Sequence, residues 1–529
     1  MNSEQLAERR IFCAIVGAGL TGIALADKLL GTGTLKRDEL VIIDRSEDFG
    51  GVWLSNKYPG VACDIPSHAY VMRSFLNPLW TKKFSEGKEI QQYYSKYASR
   101  RELARNAVFN TYVHEARFNE ETLLWEILVQ SKKTGEKVKW IANVLFDNGG
   151  GFHRPKYAKI PGRDIFRGEQ WHTSEWPQNV DLTGKRVALI GTGPSAAQVA
   201  PKIQPVVDKL YMYQRSSGHV LPRQNFEFPS WVKTLFSWCY PLLWLYHVSY
   251  FVSFDRNKDM WISGTKMNQD FHDACITFLE DQVKDPVTRE KLRPTTEFAC
   301  KRVLFLDDWY SMYNESNVEL ITEKPLRITE RGIVSKSVVA LRADDLAPEP
   351  IGSYEHKVPV KNESMDEIER PIDVLIWGTG FDMNDSGGHF EIFGLQGKNL
   401  SQLWRDYPKT YWGNFSPSHT WKHELTKCTG VAVTQFPNLF LTLGPNSTNY
   451  WSNLTTVVDI QTDYHYKMVK RIKKECRKGP YALFPNQEIS DNYNNWLKNN
   501  RGSPSFLSGN CATYHKAGSN LLSVFSSMA

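Results

Sequence analysis

The chain has eight cysteines, at positions 13, 63, 239, 275, 300, 428, 476 and 511, but no C-x-x-C pair and no spacing suited to metal ligands. That absence excludes dithiol redox chemistry and a structural metal. The cysteines read as reduced, mostly buried thiols of an intracellular protein, so a cytoplasmic location is expected. Blocks of one charge are also missing: 64 Lys+Arg are interspersed with 58 Asp+Glu, for a net charge of +6 and a pI near 8.7. Without a basic stripe, nucleic acid is excluded as a partner. The first ten residues are polar and carry two acids, which argues against a signal peptide. Repeats and low-complexity tracts are absent. One stretch, 234–254, lacks Lys, Arg, Asp and Glu over about the length a bilayer needs. It contains Pro241, His247, three serines and many aromatics, so we read it as a packed or substrate-facing helical subdomain rather than a membrane segment.

A chain of 529 residues can build two or three domains with large cores. Ile11 to Val16 is an apolar run followed by Gly17-Ala-Gly19-Leu-Thr-Gly22 and then by helix formers to Leu30. Strand, glycine turn and helix in that order make a dinucleotide site: the glycines allow the tight turn, the approach of a pyrophosphate and close packing of helix on strand. About twenty residues on, the strand Leu40 to Ile43 ends in Asp44, an acceptor for ribose hydroxyls. The arrangement recurs at Arg186 to Ile190, with Gly191-Thr-Gly193-Pro-Ser195-Ala196, a helix to Ile203 and a strand Leu210 to Tyr213. The second copy ends in Gln214-Arg215-Ser216 instead of an acid, and an arginine there accommodates the 2′-phosphate of NADP. Two such sites in one chain predict an α/β protein with two Rossmann-like domains, in which a nicotinamide reduces a flavin.

Between the two signatures lies Phe166-x-Gly168-x3-His172-x3-Trp176-Pro177, and upstream of it Gly50-Gly51-Val-Trp53-Leu-Ser-Asn-Lys-Tyr58-Pro-Gly60-Val-Ala-Cys-Asp64. Both match patterns of the Baeyer-Villiger monooxygenases, the family this chain resembles. That resemblance implies bound FAD and NADP(H), with O2 and a ketone as substrates and an ester or lactone as product. It also places Arg302, in Cys300-Lys301-Arg302-Val303, beside a C4a-peroxyflavin, with Asp64 holding that arginine and Lys301 reaching the 2′-phosphate with Arg215 and Ser216. A peroxide held as its anion needs a permanent cation in a water-poor pocket, and arginine cannot lose its proton there. His172 falls in the linker, where a structural or domain-coupling role is expected rather than a general base. Trp53 is a candidate flavin neighbour. Gly378-Thr379-Gly380 after the strand Ile372 to Trp377, and Gly444-Pro445-Asn446 after Phe436 to Leu443, resemble the return to the flavin domain and a flavin-facing turn.

The resulting domain plan is a discontinuous FAD domain (1–155 and 376–529), a linker bearing the fingerprint (156–180), an NADP domain (181–220 and 300–375) and a helical insertion (221–299). A charged segment between 343 and 369 reads as an exposed loop. Four places depart from the family pattern: Asn148-Gly149-Gly150 stands for Ala-Thr-Gly, Val303 for the proline that usually follows the Lys-Arg pair, Thr513 for a late-loop tryptophan, and 449–453 for Gly-His-Asn-Ser. The aromatic-rich insertion favours a hydrophobic ketone. N- or S-oxygenation, and a non-catalytic flavoprotein scaffold, remain as alternatives, and the sequence does not reveal oligomeric state.

Overall fold

The computed structural model describes residues 6–336, 367–382, 390–405, 410, 430–445, 447, 453–499 and 505. The chain opens with β1 (Ala7–Val16), α1 (Leu20–Gly31), β2 (Leu40–Ile43), the short α2 (Val52–Ser55) and α3 (Gly87–Ser99). β3 (Ala107–Val108), β4 (Thr111–Asn119), β5 (Leu124–Ser131) and β6 (Lys137–Asp147) follow. β1 begins four residues before the apolar run, because Ala7 to Arg10 pair with Val138 to Ile141 of β6. Backbone pairing carries the strand past the point where side-chain burial ends.

Next come β7 (Glu169–His172), β8 (Arg186–Ile190), α4 (Pro194–Ile203), β9 (Lys209–Tyr213) and β10 (Val220–Leu221). α4 starts with proline at its first turn, where a missing N–H costs nothing. The insertion is helical: α5 (Ser230–Trp238), α6 (Tyr240–Arg256), α7 (Lys266–Gln282) and α8 (Pro286–Leu292). β11 (Leu304–Phe305) pairs with β10 and closes the base of the insertion. β12 (Val318–Ile321), β13 (Pro325–Ile328), β14 (Gly332–Lys336), β15 (Glu367–Pro371) and β16 (Val374–Trp377) complete this half. The chain then returns through β17 (Glu391–Phe393), α9 (Leu400–Leu403), β18 (Leu439–Leu441), α10 (Leu454–Cys476) and α11 (Gln487–Asn499).

The first sheet is ordered β17-β4-β5-β6-β1-β2-β3, with β18 also on β6, so both ends of the chain build it. Alternate residues of β1 and β6 feed its two faces. Cys13, Ile15, Val144 and Phe146 pack beneath α1, α3 and α10, while Ala14, Val16 and Leu145 join Trp125, Phe436 and Leu441 on the other side. The second sheet, β12-β9-β8-β16-β7, is wholly parallel and buried on both faces, as parallel sheets are.

Four expectations need correction. The fingerprint segment is not all linker, since β7 is an edge strand of the second sheet, in register Val374↔Glu169 to Trp377↔His172. The boundary placed at 376 falls inside β16, and the crossing starts at Gly378. The last three residues of the segment read as an exposed loop, 367–369, belong to the strand Glu367–Pro371 paired with β14, while 343–366 lies outside the described residues. The aromatic stretch 234–254 is not packed away: two helices break at Cys239 and much of their outer surface is exposed. Among the described residues no helix is long and apolar enough to cross a membrane.

Candidate active site

The two glycine turns are built alike. Gly17 has φ +113° and its N–H donates to the Ile43 carbonyl (2.8 Å), while the Asn148 N–H donates to Val16 (2.8 Å). Gly191 has φ +109°, its N–H donates to Tyr213 (2.9 Å), and the Gly378 N–H donates to Ile190 (2.8 Å). A Cβ at Gly17 would lie 2.4 Å from the Asn148 carbonyl oxygen, and one at Gly191 2.4 Å from that of Gly378. Each turn is thus held against the first residue after a strand, Asn148 after β6 and Gly378 after β16, and no side chain can enter there. Asn148 makes this contact through its backbone carbonyl, so its departure from the family pattern leaves the contact intact.

A Cβ at Gly22 would sit 1.9 Å from the Gly17 carbonyl, which seats α1 on its own turn. At the equivalent third position Ala196 is as large as the site permits, because a Cβ on Gly378 would already come within 2.7 Å of its methyl. A Cβ on Gly51 (φ +56°) would come within 2.9 Å of Gly19 Cα, whereas Gly193 has open space around it. Both helix N-termini are therefore bare of side chains, the cradle that a pyrophosphate requires. Ser195 lies in the first turn of α4. Asp44 accepts the Ala18 N–H (2.6 Å) and the Ser46 N–H (2.7 Å), which fixes its carboxylate at the end of β2. Buried Asp147, just before the first crossing, is pushed up to about 6 by loss of solvent, partly offset by the Gly149 N–H.

At the end of β9 three groups converge. The Lys301 ammonium donates to Ser216 Oγ (2.5 Å) and the Ser217 carbonyl (2.9 Å). Burial, and then the nearby positive charge of Arg215, lower its pKa to about 8. Two cations held this close form a receptor for an anion.

Arg302 and Asp64, 238 positions apart in sequence, form a two-pronged ion pair. Arg302 Nε donates to Oδ2 (3.0 Å), and Nη2 donates to Oδ1 (2.7 Å) and Oδ2 (2.6 Å). Sequence reasoning missed a second cation beside this pair. Arg223 donates from Nη2 to the Cys63 carbonyl (2.5 Å), its guanidinium lies over the Phe84 ring, and its backbone N–H donates to Asp307. Burial lowers its pKa, while Asp64, Asp307 and Asp308 oppose that shift. No local motif marks Arg223, and only the fold brings it next to residue 63.

The loop ending at Asp64 is docked on α4. Tyr58 donates to Gln198 Oε1 (3.1 Å), Gln198 Nε2 donates to the Ala62 carbonyl (2.9 Å), and a Cβ on Gly60 (φ +82°) would come within 2.5 Å of the Gln198 carbonyl. Trp53 meets Tyr70 edge-on, with Nε1 3.4 Å from its hydroxyl. The two crossings are joined to each other: the Lys156 N–H donates to Gly380 (2.9 Å), the Asp382 N–H to Arg154 (3.0 Å), and the Thr379 hydroxyl to the Lys156 carbonyl. His172 lies against this junction, fully buried, with Tyr157 and Phe381 edge-on to its ring and Ser174 at 2.7 Å from Nδ1. Burial lowers its pKa, with the Gly380 backbone and Glu175 opposing. Phe166 packs beneath Gly168, and Trp176 meets Trp171 edge-on. Cys13, Cys63, Cys239, Cys275 and Cys476 are free, but Cys300 is disulfide-bonded, which corrects the expectation of reduced thiols throughout. Asn446, Thr513 and 449–452 lie outside the described residues.

Two sheets, each with a glycine turn before a helix, and a guanidinium paired with Asp64 from the other half define a two-dinucleotide flavoprotein. The chain belongs to the flavin-binding monooxygenase-like family, whose model matches residues 9–284. It is 33% identical to the FAD-binding monooxygenase BOA2 of Botryotinia fuckeliana over 98% of this chain and 92% of that protein. It is 27% identical to a Baeyer-Villiger monooxygenase of Pseudomonas aeruginosa, over 96% of this chain and 86% of the relative. Among solved structures it resembles OTEMO in complex with FAD and NADP, with a TM-score of 0.77 at 23% identity, covering 97% of this chain and 94% of that one.

Proposed function

We propose that the protein is an FAD-containing, NADPH- and O2-dependent Baeyer-Villiger monooxygenase that converts hydrophobic ketones to esters or lactones. The observation that carries this reading is the Arg302–Asp64 pair, assembled from segments 238 positions apart at the meeting of the two nucleotide-binding halves. Bound FAD, reduced by NADPH, would supply the activated oxygen. The bare N-terminus of α1, with Gly17, Gly19 and Gly22, would hold its pyrophosphate, and Asp44 its ribose. The N-terminus of α4 with Gly191, Gly193 and Ser195 would hold that of NADPH, while Arg215, Ser216 and Lys301 take the 2′-phosphate. Arg302 offers a permanent positive charge to the negative charge that develops on oxygen during transfer, and Asp64 keeps the guanidinium from swinging away. Arg223 adds a second, half-buried cation to the same wall. His172 and Thr379 tie the two crossings together, so that the halves stay in register during turnover.

The test is incubation of the yellow, FAD-loaded protein with NADPH, O2 and a panel of cyclic and linear ketones. Products heavier by one oxygen inserted beside the carbonyl support the reading. NADPH oxidation that yields only N- or S-oxides from added amines and sulfides, or no oxygenated product from any substrate, refutes it.

A further inference from the structure

The insertion presents a surface that no step of the reaction uses. α5 and α6 form a helical hairpin broken at Cys239, whose backbone (φ −115°, ψ 80°) is not helical. Its inner face is anchored. Phe236 and Tyr246 pack edge-on against His68, and His247 Nδ1 donates to the His68 carbonyl (2.7 Å), four residues beyond Asp64. Its outer face is unusual in composition. Trp238, at the turn, is 87% exposed, Trp231 68%, Leu245 58% and Tyr240 55%, with Leu235 and Trp244 beside them. A helix face turned to water normally carries charges, yet between Lys233 and Asp255 there are none. Single exposed apolar residues are ordinary, but a contiguous group of this size marks an interaction surface.

We propose that this hairpin docks the protein on the surface of an anionic lipid bilayer, lying in the interface without crossing it. α5 has 9 residues and α6 has 17. At 1.5 Å per residue, α6 is roughly 26 Å long, and with Trp and Tyr at the turn it suits an in-plane position at headgroup depth. Trp and Tyr favour that depth because one end of each ring system is apolar and the other can hydrogen-bond. The charges bordering the patch favour lipid over a second copy of this chain. Lys83, whose ammonium lies over exposed Phe226, stands beside it with Lys233 and Arg256, while Glu227 and Asp255 are fewer. Cations thus outnumber acids along the border, and anionic headgroups neutralise that excess, whereas a second copy of this chain would bring the same excess of positive charge to the contact. The inference does not depend on which substrate is oxygenated.

The test uses the full-length, FAD-loaded protein and sedimentation with phosphatidylcholine vesicles, with and without phosphatidylserine. Binding is expected with the anionic vesicles and is expected to weaken with salt. In the Trp238→Ser/Leu245→Ser variant the bound fraction should fall about tenfold, with NADPH-driven flavin reduction unchanged. Should that variant fold poorly, the wild type gives an independent answer: vesicles with brominated acyl chains should quench its tryptophan emission. Failure to sediment with either vesicle together with unquenched emission overturns the proposal. So does a concentration-dependent dimer in light scattering that needs Trp238 and Leu245 while vesicles go unbound.

Discussion

Removing the carboxylate of Asp64 should slow oxygen transfer without touching flavin reduction. Two unit charges about 4 Å apart are worth about 4 kcal/mol at an effective dielectric of about 20. The Arg302 side chain is 42% exposed and that of Asp64 18% exposed, so solvent screens the pair. The hold on the guanidinium is then roughly 1–2 kcal/mol, the range of a charge-assisted hydrogen bond. At about 1.4 kcal/mol per factor of ten, Asp64→Ala should slow product formation about 5- to 30-fold. Arg302→Ala removes the charge itself and should cost about 10²–10³, as loss of an oxyanion donor does. Anaerobic bleaching of the flavin by NADPH should be within about threefold of wild type in both variants, since the pair acts after that step. Aerobic turnover should shift from ester or lactone to hydrogen peroxide. The double variant decides the matter: if Asp64 works only through Arg302, losing both costs no more than losing Arg302 alone. A double variant impaired by the full product of the two single effects would refute the positioning role, and normal product formation by Arg302→Ala would remove the whole assignment.

Arg215→Ala should raise KM for NADPH at least about tenfold and leave KM for NADH nearly unchanged, since only NADPH carries the phosphate; equal effects would place the phosphate elsewhere. Because Lys301 is lowered to about 8, it is a cation below that pH and loses its proton above it. kcat/KM for NADPH should therefore fall above about pH 8 while that for NADH stays flat, and Lys301→Met should abolish the difference. Gly60→Ala forces a left-handed residue to carry a Cβ against the Gln198 carbonyl, so the melting temperature should drop by about 1–3 °C, for a loss of about 1–3 kcal/mol. Gly17→Ala should yield protein that purifies without its yellow colour, because the new methyl would sit 2.4 Å from the Asn148 carbonyl oxygen.

Much of this was legible because dinucleotide turns are local. Each needs strand, glycines and helix within about thirty residues, so one window of sequence holds the whole device. The polarity switch between Asp44 and Arg215 was readable for the same reason. Long-range pairing was not. That His172 sits on an edge strand of the second sheet follows from Trp377, more than two hundred positions later, and four residues of β7 carry no period that would announce it. Arg223 was invisible because its partner Cys63 is 160 positions away and arginine in a loop is commonplace. The aromatic stretch 234–254 misled in an instructive way. Composition tells a buried helix from a charged one, but an apolar helix that faces outward has the same composition as one that faces in.

Asp64 closes a loop of the first half, and Arg302 follows the insertion that begins and ends in the second half, so their ion pair spans the two halves. Its partners on either side are themselves cross-links: Gln198 of α4 holds the Asp64 loop, and Arg223 of the second half donates to Cys63 of the first. A hinge rotation at the crossings would move Arg302, Arg223 and α4 as one body relative to Asp64. On the proposed function, coupling of NADPH oxidation to oxygenation would be a property of that shared interface, and the buried His172 would act at the joint and not at the reacting centre.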